Sequence, residues 1–287
     1  MGRLLFVKEG TAIWSSHLDL MRALMRSFRR AGIDLKHSQG FTPHPELSIL
    51  MPLSVGVESQ CEIAEFTLAE GCAVPIEAVA ERMNPVLPAG LRALESYEGG
   101  RKAGKLSFLR ARLTLDYEAA GDGGERILRC AQNDRIETVR ALFARPSLIV
   151  EKHSKKGPVE TDIAPMIREV TVGAVIGSPG AQGSDQSPVI SNQLSVTSDQ
   201  SPVTSYQSPV TSDQLSVTSH QSPVISHQSS GDRGSSIVIE AVVAAQNPTL
   251  NPLLLVTAIE TYLPEYRPDL VQCRRLELYD AEMNVFR

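Results

Sequence analysis

A seven-residue repeat rich in serine, glutamine and proline breaks this chain and limits what the remainder can fold into. From Gly177 to Ser236 the unit recurs as Ser184-Asp-Gln-Ser-Pro-Val-Ile190, Ser191-Asn-Gln-Leu-Ser-Val-Thr197, Ser198-Asp-Gln-Ser-Pro-Val-Thr204 and Ser205-Tyr-Gln-Ser-Pro-Val-Thr211, and continues to Ile225. A coiled coil needs two apolar positions per heptad. Here valine is the only constant one, and the recurring proline breaks helices. Units this polar bury too little surface to offset the entropy of ordering them. Residues 177–235 therefore read as a disordered insert, of the kind a translated short DNA repeat would produce. Ala119 to Asp134, with Gly121-Asp-Gly-Gly124, resembles a translated mobile repeat and is set aside in the same way.

The flanking sequence keeps a regular rhythm. Arg3 to Val7 and Ala12 to Trp14 read as extended, and Ser16 to Ala31 as helix. Leu47 to Val57 reads as a strand interrupted at Pro52, Ile63 to Leu68 as a strand, Ile76 to Met83 as helix and Leu91 to Tyr97 as a strand. The second stretch predicts strands at Leu106 to Tyr117, Ser147 to Glu151, Val159 to Ile163, Val170 to Ile176, Ile237 to Val243 and Leu270 to Tyr279. Its helices fall at Ile136 to Phe143 and Pro252 to Leu263. Both stretches reduce to βαββαβ. The expectation is an α+β protein of two tandem ferredoxin-like (split βαβ) domains, each a four-stranded antiparallel sheet, over residues 1–100 and over 104–176 plus 236–287.

The most committed chemistry lies between Trp14 and Glu58. Ser16 is a good helix N-cap, and Asp19 adds a negative charge to the first turn. At 100° per residue, Leu20, Met21, Leu24, Phe28 and Ala31 gather on one helix face and Arg22, Arg26, Arg29 and Arg30 on the other. Arginine suits bidentate phosphate contacts, and Lys36 and His37 follow closely. In the loop Ser38-Gln-Gly-Phe-Thr-Pro-His-Pro45, the two prolines around His44 stiffen the backbone. Phe41 is either a stacking platform for a base or a plug into the core, with the plug favoured. His17, Asp19 and His44 are the candidate acid–base residues, although His17 falls in line with Met21 and Leu24 and reads first as a satisfied core histidine. The run Lys152-His-Ser-Lys-Lys-Gly157 reads as a basic hairpin tip.

Several classes of chemistry find no support. The chain holds no GxxxxGK[ST], GxGxxG after a strand, GxSxG or HExxH. Cys61, Cys72, Cys130 and Cys273 are scattered, so no metal site is expected and each reads as a small hydrophobe. A net charge of −5 argues against indiscriminate coating of nucleic acid, while leaving room for a local basic face. No apolar run approaches the roughly 18–20 residues a membrane span needs, so a cytoplasmic protein is expected.

At Ser16-His-Leu-Asp-Leu-Met-Arg22, Arg29-Arg-Ala-Gly32, Ser38 to Pro45 and Leu53-Ser-Val-Gly-Val-Glu-Ser59, the sequence resembles the bacterial radical-SAM-linked proteins, a family of unknown function. The similarity continues through Lys155-Lys-Gly157, Val159 to Ile167 and Asn251 to Tyr279, with Thr42 where the family usually has asparagine. Members occur beside, or fused to the C-terminal end of, a B12-binding radical SAM enzyme. The resemblance therefore implies a radical SAM partner that carries the iron–sulfur cluster, S-adenosylmethionine and cobalamin. This chain lacks CxxxCxxC and needs no cofactor of its own. The expected role is an accessory module that binds RNA or the partner through Arg22, Arg26, Arg29, Arg30, Lys36, Phe41 and His44. An enzyme using His17, Asp19 and His44, or a pure scaffold, are the alternatives.

Overall fold

A computed structural model describes residues 1–117, 125–154, 157–174 and 235–287. The insert expected at 177–235 lies outside the described residues up to position 234, as does the Gly121 to Gly124 run. The first half runs β1 (Gly2–Lys8), α1 (His17–Arg30), β2 (Leu47–Ile49), β3 (Val57–Phe66), α2 (Val79–Met83) and β4 (Leu91–Glu98). The second runs β5 (Phe108–Tyr117), α3 (Glu125–Phe143), the hairpin β6 (Ile149–Ser154) and β7 (Gly157–Asp162), β8 (Ile167–Ala174), β9 (Ser235–Ala244), α4 (Leu253–Tyr262) and β10 (Leu270–Tyr279). The fold is mixed α+β around a mostly antiparallel sheet.

Strand order is β4-β1-β3-β2 in the first half and β10-β5-β9-β8 in the second, with every pairing inside each half antiparallel. The βαββαβ rhythm thus recurs with the same order in both halves. Instead of two isolated sheets, the halves are joined into one eight-stranded sheet. The joint is parallel: Cys273, Arg274 and Arg275 of β10 pair with Val57, Glu58 and Ser59 of β3. It is possible because β2 is only three residues long and covers the other end of that β3 edge, Leu47 opposite Phe66 and Ile49 opposite Ala64.

Period-2 alternation sends Leu4, Phe6, Ala64, Phe66 and Ala93 into one core beneath α1 and α2. There Leu20, Leu24 and Phe28 supply the helix's apolar stripe, and the Phe28 and Phe66 rings lie 5.2 Å apart in a tilted pair. Full burial of a side chain such as Leu24 contributes about 1.5–3 kcal/mol. The second core gathers alternate residues of β5 and β9 (Leu109 to Tyr117, Ile237 to Val243) with Val139, Leu142, Leu255 and Ile259 of the helices. Leu5, Cys61 and Ile63 of the first half also belong to this core, together with Phe286 near the chain end.

Three local expectations change. Ala12 to Trp14 lies in a 3₁₀ turn, Gly10–Trp14, and the carbonyls of Ile13 and of Ser15 just after it accept bonds from the buried Lys8 ammonium. Gly10 opens that turn at φ +55°, a region closed to most side chains. The stretch from Leu47 to Val57 is two strands separated by the segment 50–56, consistent with Pro52, which cannot donate to a ladder. Helix α3 begins at Glu125, inside the segment set aside as a mobile repeat, and runs unbroken to Phe143.

Candidate functional site

Helix α1 is built to show its cations. Ser16 is extended, and its hydroxyl accepts the Asp19 amide at 3.2 Å while donating to the Asp19 carboxylate at 2.7 Å. That hydroxyl, with the nearby Arg22 charge, holds the Asp19 carboxyl below its ordinary range. Leu20, Leu24, Ser27 and Phe28 are buried, and Arg22, Arg26, Arg29 and Arg30 are exposed, the division expected from periodicity. Arg22 meets Asp19 at 3.4 Å, an exposed pair of little energetic weight. Arg26, Arg29 and Arg30 have no ion-pair partner among the described residues.

After Gly32, which turns the chain at φ +69°, residues 35–37 and 45–47 run side by side. Lys36 receives the Glu46 amide on its carbonyl at 2.7 Å and pairs with the Glu46 carboxylate at 3.7 Å. Ser38 and His44 close the loop tip. The Ser38 amide donates to the His44 carbonyl at 2.9 Å, and the Ser38 hydroxyl accepts the His44 amide at 3.2 Å. The same hydroxyl lies 2.9 Å from His44 Nδ1, which also lies 3.4 Å from the Thr42 carbonyl.

Phe41, expected as a core plug, is 109% exposed at the tip, where Gly40 at φ +146° turns the chain away from any core. Arg26 and Arg29 of α1 line a cleft of about 430 Å³ with His37 and Pro45 of the loop base and with Asp34. Arginines and loop therefore form one surface. Asp34 and Met25, which also line the cleft, were not singled out in the sequence, because neither belongs to the arginine stripe or the loop motif.

The acid–base candidates are not brought together. His17 opens α1, about 12 Å along the axis from the Met25 to Arg29 turns that face the loop, at about 1.5 Å per residue. His17 is half-buried, and its Nδ1 is enclosed without a hydrogen-bond partner among the described residues. Asp19 is engaged by Ser16 and Arg22, and His44 by Ser38; no hydrogen bond links any two of the three.

Sequence reasoning missed a buried charged trio. Glu62 of β3 accepts from Arg275 of β10 at 2.8 Å, and Lys8 of β1 is buried close enough to feel both. The available signal was a carboxylate inside the apolar run Cys61-Glu-Ile-Ala64. Burial lowers the Lys8 ammonium from its ordinary value, Glu62 opposing the shift and Arg275 adding to it. Burial pushes the Cys61 and Cys273 thiols up to about 12, which fits the small-hydrophobe reading of both. No group of three or more potential metal ligands forms among the described residues, and no helix there is long and apolar enough to cross a membrane.

Residues 2–202 match a family described as an uncharacterized protein conserved in bacteria (DUF2344). The chain belongs to this family. The match spans the whole first half, including α1 and its loop, and reaches into the repeat. No protein with a curated description matches the chain.

Proposed function

We propose that this DUF2344 protein is an accessory module that binds single-stranded RNA and presents it to a B12-binding radical SAM enzyme. The observation that carries the RNA half is the cleft that Arg26, Arg29 and His37 line at the base of a loop whose Phe41 is fully exposed. Phosphates meet guanidinium groups there, and a base stacks on the ring. The exposed Arg22, Arg30, Lys36 and His44 extend the cationic track. On a chain of net charge −5, such a track localises binding to one face. The partner half rests on the resemblance of Ser16 to Arg22, Ser38 to Pro45 and Leu53 to Ser59 to radical-SAM-linked proteins. We read each half as a ferredoxin-like sheet, supported by the repeated strand order, an architecture suited to RNA binding. The module works in the cytoplasm. The dispersal of His17, Asp19 and His44 counts against an acid–base enzyme.

The test is an RNA pull-down at low salt with the full chain and with Arg22→Glu, Arg26→Glu and Arg29→Glu combined. Loss of retained RNA from a folded variant supports the reading, and equal retention overturns it.

A further inference from the structure

Away from the arginine face, the joint between the two halves encloses a cleft of about 160 Å³. Its walls are mostly apolar, formed by Leu53, Val57, Leu109, Ala111 and Cys273, and Arg275 is its one charged side chain. Arg275 is only 6% exposed. Its Nη1 donates to the Met51 carbonyl at 2.9 Å and to Glu62 Oε1 at 2.8 Å. Its Nε and Nη2 make no hydrogen bond among the described residues, yet neither is sealed from solvent. A guanidinium presents that Nε–Nη2 edge to a carboxylate as a bidentate fork.

Charge points the same way. Lys8, 1% exposed, donates only to the neutral carbonyls of Ile13 and Ser15, at 3.2 Å each. Lys8 and Arg275 therefore share one buried carboxylate, Glu62, and the trio carries a surplus positive charge. Buried charge left without a counter-ion is costly, and an anion at the free Arg275 edge relieves that cost.

We propose that this cleft binds a small carboxylate with an apolar body, its carboxylate on the Arg275 Nε–Nη2 edge and its ring or branched chain against the apolar walls. A dry cavity of about 150 Å³ accepts benzene, so the ligand is of benzoate size. The site is independent of the RNA-binding face.

The test titrates the full chain with benzoate and with benzyl alcohol by calorimetry. Benzoate is expected to bind at least roughly tenfold more tightly, the margin of a charge-assisted hydrogen bond. Ala111→Leu fills the cleft without touching a charge and is expected to weaken benzoate at least about tenfold. Glu62→Gln removes the competing carboxylate and is expected to tighten benzoate, whereas a purely structural role for Arg275 predicts no gain. Equal affinity for benzoate and benzyl alcohol, or no benzoate binding up to about 20 mM, overturns the proposal. Should Ala111→Leu fail to fold, the ligand contrast and Glu62→Gln decide it.

Discussion

Replacing Glu62 by alanine removes the buried carboxylate that pairs with Arg275 at the joint of the two halves. Glu62 is fully buried, its Oε1 accepts from Arg275 at 2.8 Å, and Lys8 is buried beside the pair. Deleting one partner of a buried ion pair costs about 3–5 kcal/mol, because the other charge is left without compensation. At roughly 2–4 °C per kcal/mol for a fold of this size, the melting midpoint falls by about 6–20 °C. Urea denaturation followed by far-ultraviolet circular dichroism reads the same loss as a shift in midpoint. Lys36→Ala serves as a control, since it breaks an exposed pair with Glu46 and is expected to cost no more than about 1 kcal/mol. Pairing Glu62→Leu with Arg275→Met replaces both charges by apolar groups and recovers part of the loss. A Glu62→Ala loss as small as that of Lys36→Ala, or a double variant as unstable as the sum of its singles, would refute a buried ion pair at the joint.

Other consequences are equally direct. The Lys8 ammonium titrates below its ordinary value of 10.5 in the folded chain, so between the two values the unfolded chain holds more protons. Lys8 therefore contributes increasing stability as pH rises through that window, and Lys8→Met should flatten this rise in denaturation curves; an unchanged rise would sink the assignment. Cys61 and Cys273, with thiols pushed up to about 12, should resist iodoacetamide at neutral pH until urea unfolds the chain, whereas the half-buried Cys72 is labelled in the native state. Peptide mapping by mass spectrometry that finds native Cys61 labelled contradicts the packing. Phe41→Ala should leave the melting midpoint unchanged, because the ring touches no core, and weaken single-stranded RNA by about 1–3 kcal/mol if a base stacks there. Unchanged RNA affinity removes the ring from the interface.

Sequence periodicity carried α1 well. Leu20, Leu24 and Phe28 recur at helical spacing and are buried, and Arg22, Arg26, Arg29 and Arg30 are exposed. Alternation carried most strands for the same local reason, and the Ser16 cap placed the helix start. Contacts between distant residues were not legible. Glu62 and Arg275 are 213 positions apart, and no local pattern announces that β10 docks on the free edge of β3. Phe41 shows a second limit: an aromatic residue in a loop fits a plug and an exposed platform equally in sequence, and only the Ser38–His44 closure with Gly40 turns it outward. Reading Ala119 to Asp134 as a translated mobile repeat hid the start of α3 at Glu125. The cleft beneath the loop depends on where residues 33–37 return against α1, and turn chemistry alone does not fix that geometry.

The central claim, that Arg26 and Arg29 contact RNA phosphates, is tested most directly by salt dependence. Fluorescence anisotropy of a labelled single-stranded RNA, measured across a salt series, gives the slope of log affinity against log salt. That slope is about −0.7 for each phosphate contact, so Arg26→Glu with Arg29→Glu should make it shallower by about 1.4 and weaken binding across RNA sequences. An identical slope in the wild type and the double variant would contradict an arginine-face RNA interface.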